Sequence, residues 1–194
     1  MVTEKTLAVA SVAWFSAFFV RAVMEKQSKS IVLVGMAGAG KSTVGPLVAG
    51  LLRLNFQDAD TIIEGSQGCS LQELLDTAGV NGFQQIERAA LLGLETDGFV
   101  TATGGSAIYY PDAMAHLARD STIVWLDVPE EEICSRVNNQ HNRGLVIRAG
   151  TTLPELFRER YPLYRQYADI QVDCSGKTPV EIARDISRII DLRA

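Results

Sequence analysis

The sequence predicts an α/β fold in which helices cover both faces of a parallel β-sheet. Short apolar, β-branched runs alternate with amphipathic stretches of helical length, which is the pattern of repeated βαβ units. A glycine-rich loop follows the first apolar run directly and leads into the first helical stretch. The 194 residues, of which 47% are hydrophobic and 21% charged, are typical of one globular domain. We therefore expect a single domain built around a single sheet.

Five strands are predicted along the chain. Four are apolar runs with the composition of buried strands, at 31–34, 99–102, 122–126 and 170–172, and the shorter run 54–57 is the fifth. No internal repeat, low-complexity tract or proline-rich linker is found after residue 30. The domain is therefore expected to extend from residue 24 to residue 194.

The charge balance argues against a nucleic-acid partner. Eighteen lysines and arginines face 23 aspartates and glutamates, giving a net charge of −5, so there is no basic surplus to hold a phosphate backbone.

The three cysteines, Cys69, Cys134 and Cys174, are far apart and lack the spacing of a metal site. We expect reduced thiols and a monomeric, cytoplasmic protein.

The first 23 residues differ in character from the rest. Residues 7–20 form an uncharged apolar run of 14 residues, whereas a membrane-spanning helix needs about 20. Arg21, Lys26 and Lys29 follow this run and would keep the remainder of the chain on the cytoplasmic side. Two interpretations stay open: the segment tethers the protein to a membrane, or translation of the natural protein begins at Met24.

The glycine-rich loop has the sequence of a phosphate-binding loop. Residues 35–42, GMAGAGKS, fit G-x-x-x-x-G-K-[ST] between an apolar strand and a helix predicted over 42–54. Chance would give such a match in under about one per cent of chains of this length. Backbone N–H groups from Gly38, Ala39 and Gly40 would turn towards the phosphates. Lys41 would reach the β- and γ-phosphates and the Ser42 hydroxyl would bind Mg²⁺, so the loop predicts nucleotide binding.

Two carboxylates, Asp58 and Asp60, follow the second predicted strand, at the edge of a parallel sheet where ligands collect. On an extended stretch, alternation points both side chains the same way. One carboxylate could hold Mg²⁺, and the other could accept the proton of a substrate hydroxyl or orient that hydroxyl for in-line attack. The alternative for Asp60 is that it caps a helix beginning at Thr61.

Three further features receive structural interpretations. Asp127, at the end of an apolar strand, is expected to cap the helix that follows Pro129 rather than to bind a metal. The acidic run 130–132 is expected to form the first turn of that helix, where negative charge is favourable. Tyr109 and Tyr110 either line the substrate pocket or pack against the start of a helix.

Taken together, these motifs resemble the shikimate kinase family. The similarity covers about residues 28–190, and it is carried by GMAGAGKSTVG at 35–45, DADTIIE at 58–64, TGG at 103–105, Arg143, and RYPLY at 160–164. The resemblance implies a P-loop NTPase fold with strand order 2-3-1-4-5, a helical substrate-binding region near 59–96 and a lid near 138–150. It also implies ATP- and Mg²⁺-dependent phosphorylation of a hydroxyl of shikimate, a small-molecule substrate of aromatic amino acid biosynthesis.

The resemblance also implies roles for particular nucleotide-side residues. Lys41, Ser42 and Thr43 fall on the phosphate loop of the family, and Asp58 falls on its magnesium-side carboxylate. Arg136 matches an arginine that stacks on adenine, and Pro179 lies in the matching adenine-side loop.

On the substrate side, the resemblance makes Asp60 the base that engages the acceptor hydroxyl. Gly104 and Gly105 lie against the substrate, and Arg160 matches one of the arginines that bind its carboxylate. Arg143 matches the lid arginine that reaches the transferred phosphate, so the implied catalytic residues are Lys41, Asp60 and Arg143.

Two substrate-side residues depart from the family pattern. The F-R-x-x-E motif is FQQIE at 83–87, so Gln84 replaces a carboxylate-binding arginine, and Ser106 replaces the third glycine of a triplet. A hydrogen bond to a charged group is worth about 1.5–3 kcal/mol, so we expect substrate binding weakened on the order of 10- to 100-fold. Ser106 adds a side chain where we expect the backbone to approach the substrate. Candidates to replace the missing arginine are Arg88, Arg148 and Arg158.

These departures leave three interpretations of function. The first is a shikimate kinase with a weakened carboxylate site, and the second is a related kinase for another polyol or hydroxy acid. The third is a non-catalytic ATP-binding protein that uses residues 1–23 as an anchor. The intact set of catalytic residues favours the two kinase interpretations over the third.

Overall fold

The computed structural model describes residues 30–138 and 151–192, except for the side chain at 138. The apolar segment 7–20, Arg143, Arg148 and nearly all of the predicted lid lie outside these ranges. Within them the elements, in chain order, are β1 (Ile31–Val34), α1 (Lys41–Leu52), β2 (Asn55–Asp58), α2 (Ala59–Gln67), α3 (Leu71–Leu92), β3 (Phe99–Ala102), a 3₁₀ turn (Ala107–Tyr109), α4 (Pro111–Arg119), β4 (Thr122–Asp127), α5 (Glu130–Asn138), α6 (Leu153–Tyr167), β5 (Ile170–Asp173) and α7 (Pro179–Asp191).

All five strands belong to one parallel sheet with the order β2-β3-β1-β4-β5. Every residue of the central strand β1 is buried, which is why it has an unbroken apolar sequence. Helices lie on both faces of the sheet. The predicted fold class, strand order and all five predicted strands are confirmed, including the short one, which is displaced by one residue to Asn55–Asp58.

The core has two parts. The main cluster joins β1 and β4 to the helices on either face through side chains such as Val32, Val48, Leu117 and Ile186. A smaller cluster of Ile63, Leu74 and Phe83 holds α2 against α3. Helix α3 begins with a capping box between Ser70 and Glu73 and is interrupted at Gly79, whose φ of 68° and ψ of 176° are not helical. The pair α2–α3 therefore forms its own packing unit beside the sheet.

The structure excludes the alternative that Asp60 caps a helix, and it contradicts the prediction made for Asp127. Helix α2 begins at Ala59, and its cap is Asp58, whose Oδ1 accepts hydrogen bonds from the backbone N–H groups of Asp60 (3.0 Å) and Thr61 (3.4 Å). The chain is thus already helical at Asp60, which neither caps the helix nor continues the strand. The reason is that Asp58 itself occupies the cap position as β2 ends.

Asp127 also has a different role from the predicted one. Helix α5 begins only at Glu130, with the acidic run 130–132 in its first turn as expected. Asp127 is the last residue of β4, and its Oδ2 accepts a hydrogen bond from Gln171 Nε2 on the neighbouring strand β5 at 2.7 Å. The Asp127 carboxylate therefore binds a residue of the neighbouring strand that is distant in sequence, instead of capping the helix predicted from local spacing.

The segment that was considered as a membrane tether, residues 7–20, lies outside the described ranges. Among the helices of residues 30–138 and 151–192, none is both long and apolar enough to cross a membrane.

Helix α1 offers a direct test of the packing between α1 and β2. A Cβ atom added at Gly45 would lie 2.3 Å from Cε2 of Phe56, whereas one added at Gly50 in the same helix meets nothing within 4 Å. We expect Gly45→Ala to lower the free energy of unfolding by about 1–3 kcal/mol because the Phe56 ring, which packs against the core, must move to make room for the added methyl group. Gly50→Ala, the matched control, should raise it by about 0.5–1 kcal/mol through helix propensity. Urea unfolding of both variants checks this, and equal stabilisation by both would contradict the packing.

Candidate functional site

The loop between β1 and α1 has a backbone suited to anions. Gly38 and Gly40 both have positive φ, 82° and 93°, in the region that favours glycine. The N–H of Ala39 donates to the carbonyl of Met36 at 3.0 Å, which closes the turn before α1. A loop curled in this way at the start of a helix presents N–H groups and the positive end of the helix dipole to a bound phosphate.

Lys41 is held inside this loop. It is only 7% exposed, and its Nζ donates hydrogen bonds to the carbonyls of Gly35 (2.7 Å) and Met36 (2.8 Å). Burial lowers the pKa of Lys41 to about 8, although the negative charges of Asp60 and Asp58 act in the opposite direction. The ammonium group is therefore poised at the phosphate loop, bonded to carbonyls that a phosphate would have to replace.

The residues proposed for Mg²⁺ provide hard oxygen donors. Asp58 caps α2 through Oδ1, which leaves Oδ2 for another ligand, and Ser42 is an exposed hydroxyl in the first turn of α1. No cluster of three or more histidine, cysteine, aspartate or glutamate residues forms a metal site in the part of the chain described. In kinases, Mg²⁺ binds a few protein oxygens together with phosphate oxygens and water. Asp58 and Ser42 therefore fit that ion.

Asp60 lies in the first turn of α2 and faces Gly104. Its Oδ1 is 3.0 Å from the position that a Cβ on Gly104 would occupy. Burial raises the pKa of Asp60 to about 6, with a further increase from the charge of Asp58 and an opposing effect of Lys41. The carboxylate is thus mostly ionised at neutral pH but close enough to its pKa to accept a proton.

Gly104 and Gly105, which follow β3, bring the parts of the site together; we call this pair the glycine bridge. A Cβ on Gly104 would also lie 2.4 Å from Oε1 of Glu87, and a Cβ on Gly105 would lie 3.0 Å from Nη1 of Arg160 and 3.3 Å from the backbone nitrogen of Ala37. No larger residue would fit at Gly104 without moving a carboxylate. The bridge therefore joins the phosphate loop, α2, α3 and α6 at a single point.

Arg160 is the buried cation on the acceptor side. It is 2% exposed, its Nε donates to the Tyr109 hydroxyl at 3.3 Å, and its guanidinium carbon lies 5.2 Å from the centre of the Tyr109 ring. The Tyr164 hydroxyl, on the same helix, donates to the Gly105 carbonyl at 2.7 Å. Tyr109 therefore contacts Arg160, whereas Tyr110 is buried at the start of α4; the role of Tyr109 in a substrate pocket stays a prediction.

Glu87 is the residue that the sequence analysis missed. It is only 1% exposed, and its carboxylate accepts hydrogen bonds from the hydroxyls of Ser106 and Tyr110, each at 2.7 Å. Burial raises the pKa of Glu87, while these two hydroxyls and the charge of Arg160 oppose the increase. A glutamate on the apolar face of a predicted helix was the available signal, since such residues are rarely buried without a purpose.

Ser106 does not extend into the substrate site. Its side chain is buried, 4% exposed, and donates to Glu87 behind the glycine bridge. The expectation that it adds bulk against the substrate therefore needs correction.

The two described candidates for replacing the missing arginine are engaged elsewhere. Arg88 forms a two-pronged ion pair with Asp112 on the exposed side of α4. Arg158 is 70% exposed, and its Nη2 lies 3.8 Å from Glu130 Oε1. Gln84 is half-buried on α3, one turn before Glu87. Neither Arg88 nor Arg158 therefore supplies a second cation at the glycine bridge.

The predicted adenine-side residues lie at the same end of the sheet. Arg136 of α5 donates from Nη1 to the Gly38 carbonyl at 3.1 Å and pairs with Glu132 one turn earlier. Pro179 is the first residue of α7, which packs against α1. Arg136 is thus held at the phosphate loop, and its stacking on adenine stays a prediction.

This fold and site define a class of protein. A parallel sheet of this order, a phosphate-binding loop after its central strand and a buried carboxylate close to the lysine of that loop, at the start of the helix that follows β2, are the features of a P-loop kinase that acts on a small molecule. The family model described as shikimate kinase matches residues 37–191. The chain therefore belongs to the shikimate kinase family.

Individual relatives agree with this assignment. The shikimate kinase of Synechococcus sp. (strain RCC307) is 39% identical over 165 residues, which are 82% of this chain and 83% of that protein. The shikimate kinase of Pseudomonas entomophila (strain L48) is 38% identical over 161 residues, 81% of this chain and 94% of that protein. A shikimate kinase from Acinetobacter baumannii, solved in complex with shikimate, superposes with a TM-score of 0.76 and 31% identity, covering 84% of this chain and 93% of that one.

Proposed function

We propose that this chain transfers the γ-phosphoryl group of ATP to a hydroxyl of shikimate. The observation that carries the proposal is the convergence at the glycine bridge. Asp60 approaches Gly104, and both Arg160 and the phosphate loop approach Gly105. A base, a cation for a carboxylate and a phosphate site thus lie around one pair of glycines, which is the arrangement that phosphoryl transfer to a small hydroxylated acid needs.

On the nucleotide side, the chain provides positive charge where negative charge is transferred. Lys41 would exchange the carbonyls of Gly35 and Met36 for the β- and γ-phosphate oxygens. Ser42 and Asp58 would hold Mg²⁺, which neutralises charge on the phosphate oxygens when it is bound. The carboxylates at the ends of the strands keep the Lys41 ammonium charged in spite of its burial.

On the acceptor side, Asp60 provides the base. The acceptor hydroxyl attacks the γ-phosphorus as its proton passes to the Asp60 carboxylate, and the bond from the γ-phosphorus to the bridging oxygen breaks to release ADP. Arg160 would bind the acceptor carboxylate and so fix which hydroxyl meets Asp60. Arg143, which lies outside the described residues, keeps the predicted role of a cation from the lid.

A coupled ADP-release assay on the full chain tests the proposal. With Mg·ATP and shikimate we expect turnover, and Lys41→Ala should reduce it by about 100-fold or more, because it removes a charge that stabilises the transferred phosphoryl group. Arg119→Ala, which removes a positive charge from an exposed ion pair on α4, is the matched control and should leave turnover unchanged.

One observation favours a second candidate function. Gln84 is neutral and Glu87 is buried close to the acceptor side, so the site holds less positive charge than two arginines would provide. Turnover with another polyol or hydroxy acid and none with shikimate would identify this chain as a related kinase. Absence of turnover with every acceptor, together with retained ATP binding, would support a non-catalytic role.

The pH profile of kcat/KM should have two limbs. Activity should rise as pH increases through about 6, because Asp60, whose pKa is raised, must lose its proton to act as a base. It should fall as pH increases through about 8, because Lys41, whose pKa is lowered, then loses its positive charge. Initial rates from pH 5 to about 9.5 with limiting substrate measure both limbs. A profile that stays flat from about pH 7 down to about pH 5, as an aspartate with the ordinary pKa of about 4 would give, would contradict the assigned role of Asp60.

Gln84→Arg tests the carboxylate site. An arginine at this half-buried position on α3 should lower the KM for shikimate by about tenfold, because a charged donor to a carboxylate is worth about 1.5–3 kcal/mol. Gln85→Arg on the exposed side of the same helix is the control and should leave KM unchanged. If the two variants behave alike, or if Gln84→Arg raises KM, the account of the carboxylate site is wrong.

A further inference from the structure

The Glu87 carboxylate is buried, and the proposed reaction does not use it directly. Among the described residues, its hydrogen-bond donors are two neutral hydroxyls: Ser106 Oγ lies 2.7 Å from both of its oxygens, and Tyr110 donates to Oε2 at 2.7 Å. A carboxylate enclosed in this way is fixed in orientation, because an unpaired buried oxygen costs free energy.

The orientation of Glu87 matters because of its neighbours. Its Oε1 lies against Gly104, the same glycine that Asp60 approaches, and Arg160 approaches the adjacent Gly105. Glu87 and Arg160 also interact through their charges. A rotation of the Glu87 carboxylate would therefore bring it into competition for the guanidinium group of Arg160.

Helix α3 does not neutralise this carboxylate from the adjacent positions. Gln84, one turn before Glu87, is uncharged, and Arg88, the next residue, is paired with Asp112 on the surface. The hydroxyls of Ser106 and Tyr110, which follow the glycine bridge in the sequence, instead donate hydrogen bonds to Glu87.

We propose that Ser106 is a positioning residue that, together with Tyr110, fixes the Glu87 carboxylate so that Arg160 is directed to the carboxylate of the acceptor. Without the Ser106 hydroxyl, Glu87 keeps the Tyr110 hydroxyl as a donor and forms a charge-assisted pair with Arg160, because a carboxylate binds a guanidinium more strongly than a neutral donor. The acceptor then loses part of its binding site, whereas the nucleotide side is unaffected. This inference rests on the proposed function.

Ser106→Ala in the full chain gives the first test. We expect the KM for shikimate to rise about tenfold, with kcat changed by less than about twofold and the KM for ATP unchanged, as for one lost hydrogen bond to a charged group. Tyr110→Phe, which removes the other donor, should shift the same KM in the same direction.

Ser121→Ala is the matched control. The Ser121 side chain is fully buried, its Oγ has no hydrogen-bond partner within the described residues, and it precedes β4 at the edge of the sheet opposite to the site. Loss of this hydroxyl should leave both KM values unchanged. Thermal unfolding of each variant confirms that the kinetics are measured on folded protein.

A double-mutant cycle separates positioning from a merely structural role. In Gln84→Arg, the new arginine one turn before Glu87 provides a charged donor that can replace the hydroxyl. We therefore expect Ser106→Ala to raise the KM for shikimate by less than about twofold in that background. A structural role would instead impair stability, kcat and both KM values equally in the two backgrounds.

The outcomes distinguish the two proposals. If the wild-type chain phosphorylates shikimate and Ser106→Ala behaves like Ser121→Ala, this inference is overturned and the proposed function stands. An equal loss from Ser106→Ala with and without Gln84→Arg overturns it as well. If the wild-type chain does not act on shikimate, the proposed function fails, and this inference fails with it.

Discussion

The site depends on the joint burial of opposite charges where three parallel strands end. A lone buried ammonium or carboxylate would lose much more hydration energy than its surroundings could return. Lys41 and Asp60 each lessen the effect of burial on the pKa of the other, so that the lysine stays close to 8 and the aspartate close to 6. This balance requires β1, β2 and β3 to end in register, and the pairings Leu33 with Ala102 and Asp58 with Ala102 provide that alignment.

The glycine bridge makes this arrangement sterically feasible and also sets its charge balance. Because Gly104 has no side chain, two carboxylates from different helices approach the same backbone atom. Among the described residues, Asp60 and Glu87, with Asp58 nearby, face two buried cations, Lys41 and Arg160. An acceptor carboxylate therefore enters a site that already holds much negative charge. The Ser106 and Tyr110 hydroxyls stabilise Glu87 without adding positive charge, so the attraction for that acceptor depends strongly on Arg160.

The sequence predicted those parts of the protein that are specified locally. The phosphate loop is a strand, a loop and a helix in one continuous stretch, and Asp58 follows its strand directly, so both could be recognised from spacing. The inward direction of Ser106 depends on contact with a helix residue 19 positions earlier, and the bond from Gln171 to Asp127 spans 44 positions. No local pattern encodes such contacts. The sequence motif that contains Glu87 was visible, but no role could be assigned to this residue. Its partners, Ser106 and Tyr110, belong to a separate part of the chain.

The two departures from the family pattern are physically connected. From the sequence alone, Gln84 in place of an arginine and Ser106 in place of a glycine were interpreted as two independent changes on the substrate side. In the structure, both concern Glu87: the first leaves the carboxylate without a cation one turn earlier on its own helix, and the second supplies a neutral donor from the neighbouring loop. A neutral donor satisfies the hydrogen-bonding needs of a buried carboxylate but does not cancel its charge. Among the described residues, the proposed attraction for an acceptor carboxylate therefore depends on Arg160, against the negative charge that Glu87 retains.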